Sequence, residues 1–344
     1  MKLKAGLMIV LLIGAGFGFA RQQLKGHLLK QRMQGDPLAN LPENIQVLTR
    51  FGERADISPG NDRVAFMAKV FGDAMVIDLK SRQISCLTCS IPGAAFLRVM
   101  HLPNGDYLLA GTDRFEDPVT SRKNADLWYL SKAPGAKPQK IGLKVNEGIA
   151  VSKRSFKIAY TEWTAEGTQL VVAGLDLKGE RPKLINQKVV MKNAGKDCSL
   201  EAQDFYDGDT RLTFFCYVPD GAFEVKGIDL QTAAVTNFSN AKGSFNEPEG
   251  IFPDGYTAVE SDRQCDWLGG KRGSSNLDIW KLKLDGTGKD FVRLTHFNDY
   301  DGGKAANPVV ATNGKFMAFQ VARSDDPPGV GHGLLLYWFT KRPQ

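Results

Sequence analysis

The sequence predicts an all-β protein folded as a six-bladed β-propeller, and three observations support this prediction. A turn followed by short alternating strands recurs six times along the 344-residue chain. These strands are rich in β-branched and aromatic residues, and no long helical pattern interrupts them. The last unit lacks an outer strand, while a matching segment precedes the first unit. Because one unit cannot bury both of its faces alone, we expect six units to pack in a closed ring.

Composition places the chain among ordinary globular proteins. Hydrophobic residues make up 42% and charged residues 24% of the sequence. These values exclude a disordered, collagenous or coiled-coil protein. The net charge is only +6, from 44 basic and 38 acidic residues, and no block of Lys or Arg occurs. We therefore expect no nucleic-acid partner.

The N-terminus has the pattern of an export signal. Lys2 and Lys4 precede an uncharged apolar run over residues 5–20, and such a positive start with a short apolar core directs export. Gly18 and Ala20 are small residues suited to a cut after Ala20. The run is slightly shorter than the roughly 20 residues of a usual membrane span. Two alternatives stay open: cleavage, which gives a soluble periplasmic protein, or an uncleaved anchor in the inner membrane.

A short amphipathic helix or linker is expected next. Leu24, Leu28, Leu29 and Met33 recur at helical spacing, so this segment could lie on a membrane surface or pack on the propeller, and a spacer against the membrane is favoured. The expected organisation is a signal peptide or signal anchor over residues 1–20, the helix or linker over 21–40, and the propeller over 41–344.

The spacing of the turns defines the propeller units. The turns lie at residues 60, 105, 154, 208, 255 and 314. A period of roughly 40–60 residues with several short strands in each unit is typical of propeller blades. Gly and Asn recur in these turns, and both residues tolerate the positive φ that tight hairpins require.

A repeated Leu-Thr pair predicts how the ring closes. The pair ends the outer strands at residues 86–89 and 293–296. No such strand follows Trp338, but residues 47–50 carry the same pair ahead of the first unit. We therefore expect Ile45 to Phe51 to supply the outer strand of the last blade and to remove an exposed sheet edge.

These motifs resemble those of a known family. Residues 58–66 (SPGNDRVAF) and 253–255 (PDG) resemble the repeat of TolB-like six-bladed propellers. Residues 277–280 (LDIW), followed by 293–295 (RLT), resemble the strand-and-exit pattern of the same family. The resemblance covers residues 45–340 and implies the fold. It implies no single function, because such propellers serve as scaffolds, binding modules and enzyme appendages.

Five cysteines fit an exported chain, because oxidising compartments favour disulfides. Cys198 and Cys216 flank a hairpin turn almost symmetrically, so we expect a cross-strand disulfide between them. For Cys86 and Cys89 a short structural disulfide is favoured, with a redox site, half of a metal site or free thiols as alternatives. Cys265 is left over and is either free or paired with another chain.

Candidate ligand-binding residues follow from the repeat. Counting back about seven residues from each turn gives the start of each innermost strand, which should ring the upper mouth of the central channel. The residues at these positions are Arg98, Glu147, Glu201, Glu249 and Asn307. Two long loops add Arg263 and His332. Converging carboxylates beside an arginine suit a polar ligand, and a calcium ion at the channel mouth is not excluded; no other cofactor or metal is expected.

The sequence favours a binding function over catalysis. It has no Gly-x-Ser-x-Gly motif, and His101, His296 and His332 fall in different parts of their units, which disfavours a three-histidine metal site. We expect a non-catalytic scaffold in the cell envelope that binds an envelope protein or a glycan, and we assign no catalytic residue. The alternative is a hydrolase or lyase acting on a carbohydrate or small ester at the upper mouth of the channel.

Overall fold

The computed structural model describes residues 30–340, apart from 94, 146, 195–197, 219–220 and 328–329. In this part of the chain, 24 strands form six four-stranded antiparallel sheets, so the predicted six-bladed propeller is confirmed. The predicted signal segment and residues 21–29 lie outside the described residues. Met33, the last residue of the predicted helix, forms a parallel bridge with Tyr300 instead of a helical turn. No helix among the described residues is long and apolar enough to cross a membrane.

The sheets follow one another along the chain. The first strand, β1 (Ile45–Val47), stands ahead of the first complete sheet. That sheet contains β2 (Glu53–Ile57), β3 (Arg63–Met67), β4 (Ala74–Asp78) and β5 (Ile84–Cys86). The second contains β6 (Ala95–His101), β7 (Tyr107–Thr112), β8 (Asp126–Leu130) and β9 (Gln139–Lys144). The third contains β10 (Ile149–Val151), β11 (Lys157–Trp163), β12 (Gly167–Asp176) and β13 (Lys183–Ala194).

The remaining sheets repeat this order. The fourth contains β14 (Ser199–Tyr206), β15 (Arg211–Tyr217), β16 (Lys226–Asp229) and β17 (Val235–Asn237). The fifth contains β18 (Asn246–Phe252), β19 (Tyr256–Ser261), β20 (Asp278–Lys283) and β21 (Phe291–Arg293). The sixth contains β22 (Gly303–Val310), β23 (Phe316–Arg323) and β24 (Leu334–Trp338). The helices are α1 (Pro118–Lys123) and α2 (Cys265–Leu268), with 3₁₀ turns at Pro37–Asn40 and Phe297–Asp299.

This strand order gives the disc two distinct faces. The hairpin turns between the innermost and second strands of each sheet lie on one face, which we call the lower face. The loops from second to third strand, and those joining successive sheets, lie on the other, which we call the upper face. Both α1 and α2 belong to the upper face.

The sixth sheet is completed by the leading segment of the propeller. Strand β1 pairs antiparallel with β24, so that Ile45 lies opposite Tyr337 and Val47 opposite Leu335. The sheet order is therefore β1-β24-β23-β22, with both ends of the described chain in one blade. The paired strand is shorter than the segment from Ile45 to Phe51, because the chain turns after Val47 towards β2.

The core consists of six apolar layers, one between each pair of neighbouring sheets. In the layer between the sixth and first sheets, the buried Phe66 and Ile77 pack with Phe316 and Leu336. Each sheet thus buries both faces against its neighbours, and removing fully buried side chains of this size costs roughly 3–5 kcal/mol. Closure of the ring, and not any single sheet, produces the core.

The recurring Leu-Thr pair has a structural explanation. In the fifth sheet the Thr295 hydroxyl donates to the Asp278 carboxylate at 2.7 Å. It also accepts from the backbone N–H of Ile279, the residue after Asp278, at 2.8 Å. In the first sheet Thr88 does the same with Asp73, at 2.8 and 3.0 Å. Thr49 accepts from the first backbone N–H of β24 at 3.1 Å. In each of these sheets the threonine therefore links the end of the outer strand to the start of the third strand by hydrogen bonds.

Both predicted disulfides are confirmed. Cys198 and Cys216 link β14 to β15, and Cys86 and Cys89 close a short loop after β5. For the second pair, a formed disulfide excludes free thiols and thiolate metal ligands in this structure, and the structural and redox alternatives both contain it. Cys265 is buried in α2 and has no disulfide partner.

We predict that Thr295→Val lowers the free energy of unfolding by about 1–3 kcal/mol, because the buried Asp278 and a backbone N–H each lose a partner while side-chain volume is kept. Guanidinium unfolding followed by circular dichroism measures this change. The control is Thr236→Val in the exposed outer strand β17, where we expect a change within about 0.5 kcal/mol. Equal effects of the two substitutions would contradict the role assigned to the Leu-Thr pair.

Candidate functional site

The channel-lining side chains are positioned by a repeated irregularity of the innermost strands. Five of the six innermost strands shift register against their neighbours at a similar level. Such bulges bend a strand and redirect side chains. Arg54 and Asn307 lie at two of these bulges with φ of 53° and 47°, a conformation that few residues other than glycine adopt. Both side chains line the central cavity.

Charged groups from five blades and one loop helix, together with Asn307 of the sixth blade, meet near these bulges, and we call them the upper ring. The upper ring consists of Glu53, Arg54, Arg98, Arg122, Glu147, Glu201, Glu247, Glu249, Glu260 and Asn307. It contains six carboxylates and three guanidinium groups. Because full ionisation would leave an excess of negative charge in a desolvated place, some of these carboxyl groups should hold protons.

Glu147 is the best-paired carboxylate of the upper ring. Arg54 Nη2 donates to Glu147 Oε2 at 3.0 Å, and Arg122 Nε donates to Oε1 at 2.6 Å. Arg98 Nη1 donates to the Glu147 backbone carbonyl at 2.7 Å. Burial alone would raise the pKa of Glu147, but the Arg54 and Arg122 guanidiniums outweigh it and lower the pKa to about 2. These contacts join three blades across the upper end of the channel.

Glu249 lies on the opposite side of the ring. Its Oε2 is 3.9 Å from Arg98 Nη2, and its Oε1 accepts from Asn307 Nδ2 at 3.4 Å. The backbone N–H of Asn307 donates to the buried Glu260. Burial raises the pKa of Glu249, and the Arg98 guanidinium offsets this only in part.

Three further carboxyl groups accept no hydrogen bond from a cation among the described contacts. Desolvation deep in the channel raises the pKa of Glu201 to about 7 and that of Glu247 well above its ordinary value. Glu53 is fully buried, with neither carboxylate oxygen hydrogen-bonded, and burial raises its pKa to about 7 although Arg54 Nε lies 3.8 Å away. Burial therefore favours the protonated form of these three carboxyl groups.

Below the ring the channel widens into a cavity of about 670 Å³. Arg54, Arg98, Glu249 and Asn307 line its inner end, but Glu147 does not. Its other end is lined by exposed residues of the lower turns, namely Arg154, Gly208, Gly255 and Thr312. The cavity therefore opens on the lower face. A site at the upper mouth stays a prediction, and the ion pairs of Glu147 with Arg54 and Arg122 lie at that end.

The cavity wall carries fixed charges of both signs. Lys153 Nζ lies 2.6 Å from Asp56 Oδ1, and His101 Nδ1 lies 2.8 Å from Asp56 Oδ2. Burial would raise the pKa of Asp56, but Lys153 outweighs it and lowers the pKa to about 2. Asp204 Oδ2 accepts from the Gly250 backbone N–H at 2.6 Å, yet desolvation raises the Asp204 pKa to about 7. The wall thus offers a cation, a carboxylate and a protonatable carboxyl group.

The structure brings five of the seven predicted residues together. Arg98, Glu147, Glu201, Glu249 and Asn307 come from five different blades and meet in the upper ring. Whether they bind a ligand stays a prediction.

The other two predicted residues do not join the ring among the described contacts. Arg263 stacks over Phe291 at 4.6 Å from the ring centroid and over Trp280 at 5.7 Å, towards the outside of the fifth sheet. His332 is exposed, and its Nε2 lies 2.6 Å from Asp326 Oδ2. The backbone of His332 nevertheless bridges Gly52, which directly precedes Glu53 of the upper ring. Whether Arg263 or His332 binds a ligand stays a prediction.

The sequence reasoning missed several residues of the site. The seven-residue count applied to the first turn would have reached Glu53 and Arg54. A count of about four would have reached Asp56, His101 and Asp204, one level lower in the channel. No periodic signal marks Arg122 or Lys153, because they lie in a loop and a turn.

No metal site is evident in the upper ring as described. Among the described residues, the metal-ligand atoms that come within 4.8 Å of one another in a group of three belong to Asp73, Cys86 and Cys89. Both sulfurs are held in the disulfide, so they cannot act as thiolate ligands. Calcium at the channel mouth stays a prediction.

Comparisons with known proteins agree with a TolB-like six-bladed propeller fold. A putative TolB from Agrobacterium tumefaciens superposes with a TM-score of 0.51 at 16% identity, covering 73% of this chain and 77% of that one. TolB from Acinetobacter baumannii gives 0.51 at 14% identity, covering 86% of this chain but only 65% of that protein's own length. Regucalcin from Agrobacterium tumefaciens, a calcium-binding protein, gives 0.52 at 12% identity, with 85% and 92% covered. No protein-family model and no curated protein matches the chain. At these identities the likeness concerns the fold alone.

We predict that the free energy of unfolding falls as pH rises from about 4 to about 7. The pKa of Asp204, Glu201 and Glu53 is about 7 in the folded protein, above the ordinary values of 3.8, 4.5 and 4.5. In this window the folded state therefore binds more protons than the unfolded state, so the free energy of unfolding falls as the pH rises. Asp56 and Glu147, with pKa about 2, act oppositely below pH 4, so stability should peak near pH 4–5. Guanidinium unfolding at a series of pH values measures this.

Asp204→Asn isolates one of these groups, because the amide stays neutral and can still accept from Gly250. We expect this variant to lose less stability than the wild type between pH 5 and pH 8, where one pKa unit corresponds to about 1.4 kcal/mol. Asp301→Asn, on an exposed upper loop, is the matched control and should keep the wild-type slope. An unchanged slope in Asp204→Asn would show that this carboxyl group does not titrate in the window.

Proposed function

We propose that this chain is a non-catalytic binding scaffold of the cell envelope, and that its ligand enters the central cavity from the lower face. The observation that carries the proposal is the open cavity with charged groups fixed along its depth. Its volume of about 670 Å³ falls within the roughly 300–1,000 Å³ of small-ligand sites in proteins.

Of the two ligand classes predicted from the sequence, the cavity favours a glycan over a protein. Phe205, Tyr206 and Phe252 are among the residues that line the cavity, and Phe205 and Phe252 also pack in the apolar layers between blades. Asp204 and Lys153, which also line the cavity, offer a hydrogen-bond acceptor and donors. A lining that combines apolar residues with fixed polar groups suits a sugar, whose rings present apolar C–H faces and hydroxyl edges. A folded protein partner would instead reach only the turns around the mouth.

A location in the cell envelope is supported by the two disulfides. Two disulfides persist in oxidising compartments such as the periplasm and are rare in a reducing cytosol. The apolar run over residues 5–20 supplies an export signal. The proposed location is therefore the periplasm, with the mature chain either soluble or anchored to the inner membrane by residues 5–20.

Binding is favoured over serine-dependent hydrolysis of an ester by the residues of the cavity wall. The described residues lining the cavity include one serine, Ser152, and its hydroxyl donates to Asp209 at 2.6 Å instead of to a histidine. His101 is buried and held by Asp56. A serine nucleophile with a histidine base is therefore not assembled among these residues.

The test is a binding screen of the purified protein against soluble envelope oligosaccharides, namely muropeptides and lipopolysaccharide core fragments, by isothermal titration calorimetry. We expect at least one of them to bind, and Asp204→Asn to weaken that binding about tenfold, or ~1.4 kcal/mol. The outlying Asp301→Asn should bind like the wild type. Failure of every oligosaccharide to bind the wild type would overturn the glycan assignment. Mass spectrometry of the recovered oligosaccharide distinguishes binding from catalysis, since cleavage would support the enzyme alternative.

A further inference from the structure

Exposed aromatic side chains are concentrated on the upper face. Six Phe, Tyr or Trp side chains are exposed to solvent among the described residues. Five of them lie on upper-face loops or at the upper ends of strands: Phe51, Phe115, Trp163, Tyr217 and Trp267. The sixth, Phe156, lies in a lower turn. Trp163 is the most exposed of the set, at 63%.

These side chains come from five different blades or inter-blade loops, so they are spread around the disc. Val119, Met33 and Val330 add exposed aliphatic groups on the same face. A single exposed hydrophobic residue is ordinary on a protein surface. A face that gathers five aromatic side chains, two of them Trp, has the composition of the water–lipid boundary, where amphipathic rings accumulate.

The leading segment of the chain joins the propeller at this same face. The backbone N–H of Lys30 donates to the Trp267 carbonyl at 2.8 Å, and Met33 bridges Tyr300. In the sequence, nine residues lie between Ala20 and Lys30. A chain of that length, fully extended, spans at most about 35 Å.

Arg32 fixes this attachment. Its guanidinium donates to the backbone carbonyls of Asn298 at 3.0 Å and Gly269 at 2.9 Å, and to the Asn298 side chain at 3.0 Å. Hydrogen bonds from a charged donor are roughly twice as strong as neutral ones. The leading segment is thus held between α2 and the loop that leads to the sixth sheet, on the upper face.

From these observations we infer that the upper face rests on a lipid bilayer to which residues 5–20 tether the chain. The aromatic side chains enter the interface, and the cavity mouth on the lower face points away from the membrane. Both acidic and basic side chains surround the aromatic ones, for example Asp266 and Lys123, so insertion of apolar groups and not charge holds the face down. The tether supplies the high local concentration that so small an apolar area needs.

Tryptophan fluorescence tests this orientation. The full chain is reconstituted into vesicles of phosphatidylethanolamine and phosphatidylglycerol, with plain or brominated acyl chains. Residues 1–29 contain no Trp, so quenching by the brominated lipid reports on the propeller alone. We expect quenching in the wild type and its loss in the double variant Trp163→Phe with Trp267→Phe. Equal emission in the two lipids, or unchanged quenching in the double variant, would overturn the inference.

A matched pair of single substitutions separates the two faces. Phe115→Ser removes an upper aromatic side chain and should lower the quenching at least twofold. Phe156→Ser removes a lower one of similar exposure and should leave the quenching unchanged. A chain recovered from cells with its N-terminus at Arg21, found outside the membrane fraction, would also overturn the inference. None of these outcomes depends on oligosaccharide binding, so failure here is distinguishable from failure of the proposed function.

Discussion

Burial of both faces of every sheet is the constraint on which the rest of the structure depends. Each apolar layer lies between two blades, so all six layers form only when the ring is closed. The pairing of β1 with β24 gives the sixth sheet the same four strands as the other five. Closure of the ring also makes six innermost strands converge on one axis. The innermost strands lie close together around a narrow channel, and five of them contain a bulge.

Those bulges explain why charged side chains collect at the axis. A bulge turns neighbouring side chains towards the channel, and five innermost strands have one. The resulting upper ring contains more carboxylates than guanidiniums. Desolvation resolves the imbalance by raising carboxyl pKa values, as at Glu201, while the best-paired Glu147 stays ionised. The ion pairs around Glu147 cross one end of the channel and leave the lower end open to a ligand.

Periodicity in the sequence predicted what the ring repeats. Strand β8 (Asp126–Leu130) lies where the alternating pattern places it, and the seven-residue count reached five members of the upper ring. Residues that lie outside the repeat could not be predicted from periodicity. Arg122 lies in the loop helix α1 and donates to Glu147. This contact is one of the ion pairs at the upper end of the channel. Loop length drew attention to Arg263, but it did not indicate the aromatic ring of Phe291 on which its guanidinium stacks.

The path of the leading segment links ring closure to the orientation of the molecule. From Met33 on the upper face the chain runs to Asn44 on the lower face, where its backbone pairs with Trp338, and then returns upward as β1. The segment from Lys30 to Val47 therefore contacts the upper face and also completes the last blade. Along the chain, the Arg32 contacts come between Lys30 and β1. A displacement of the chain at Lys30 would therefore be resisted by these hydrogen bonds before it reached the strand that closes the propeller.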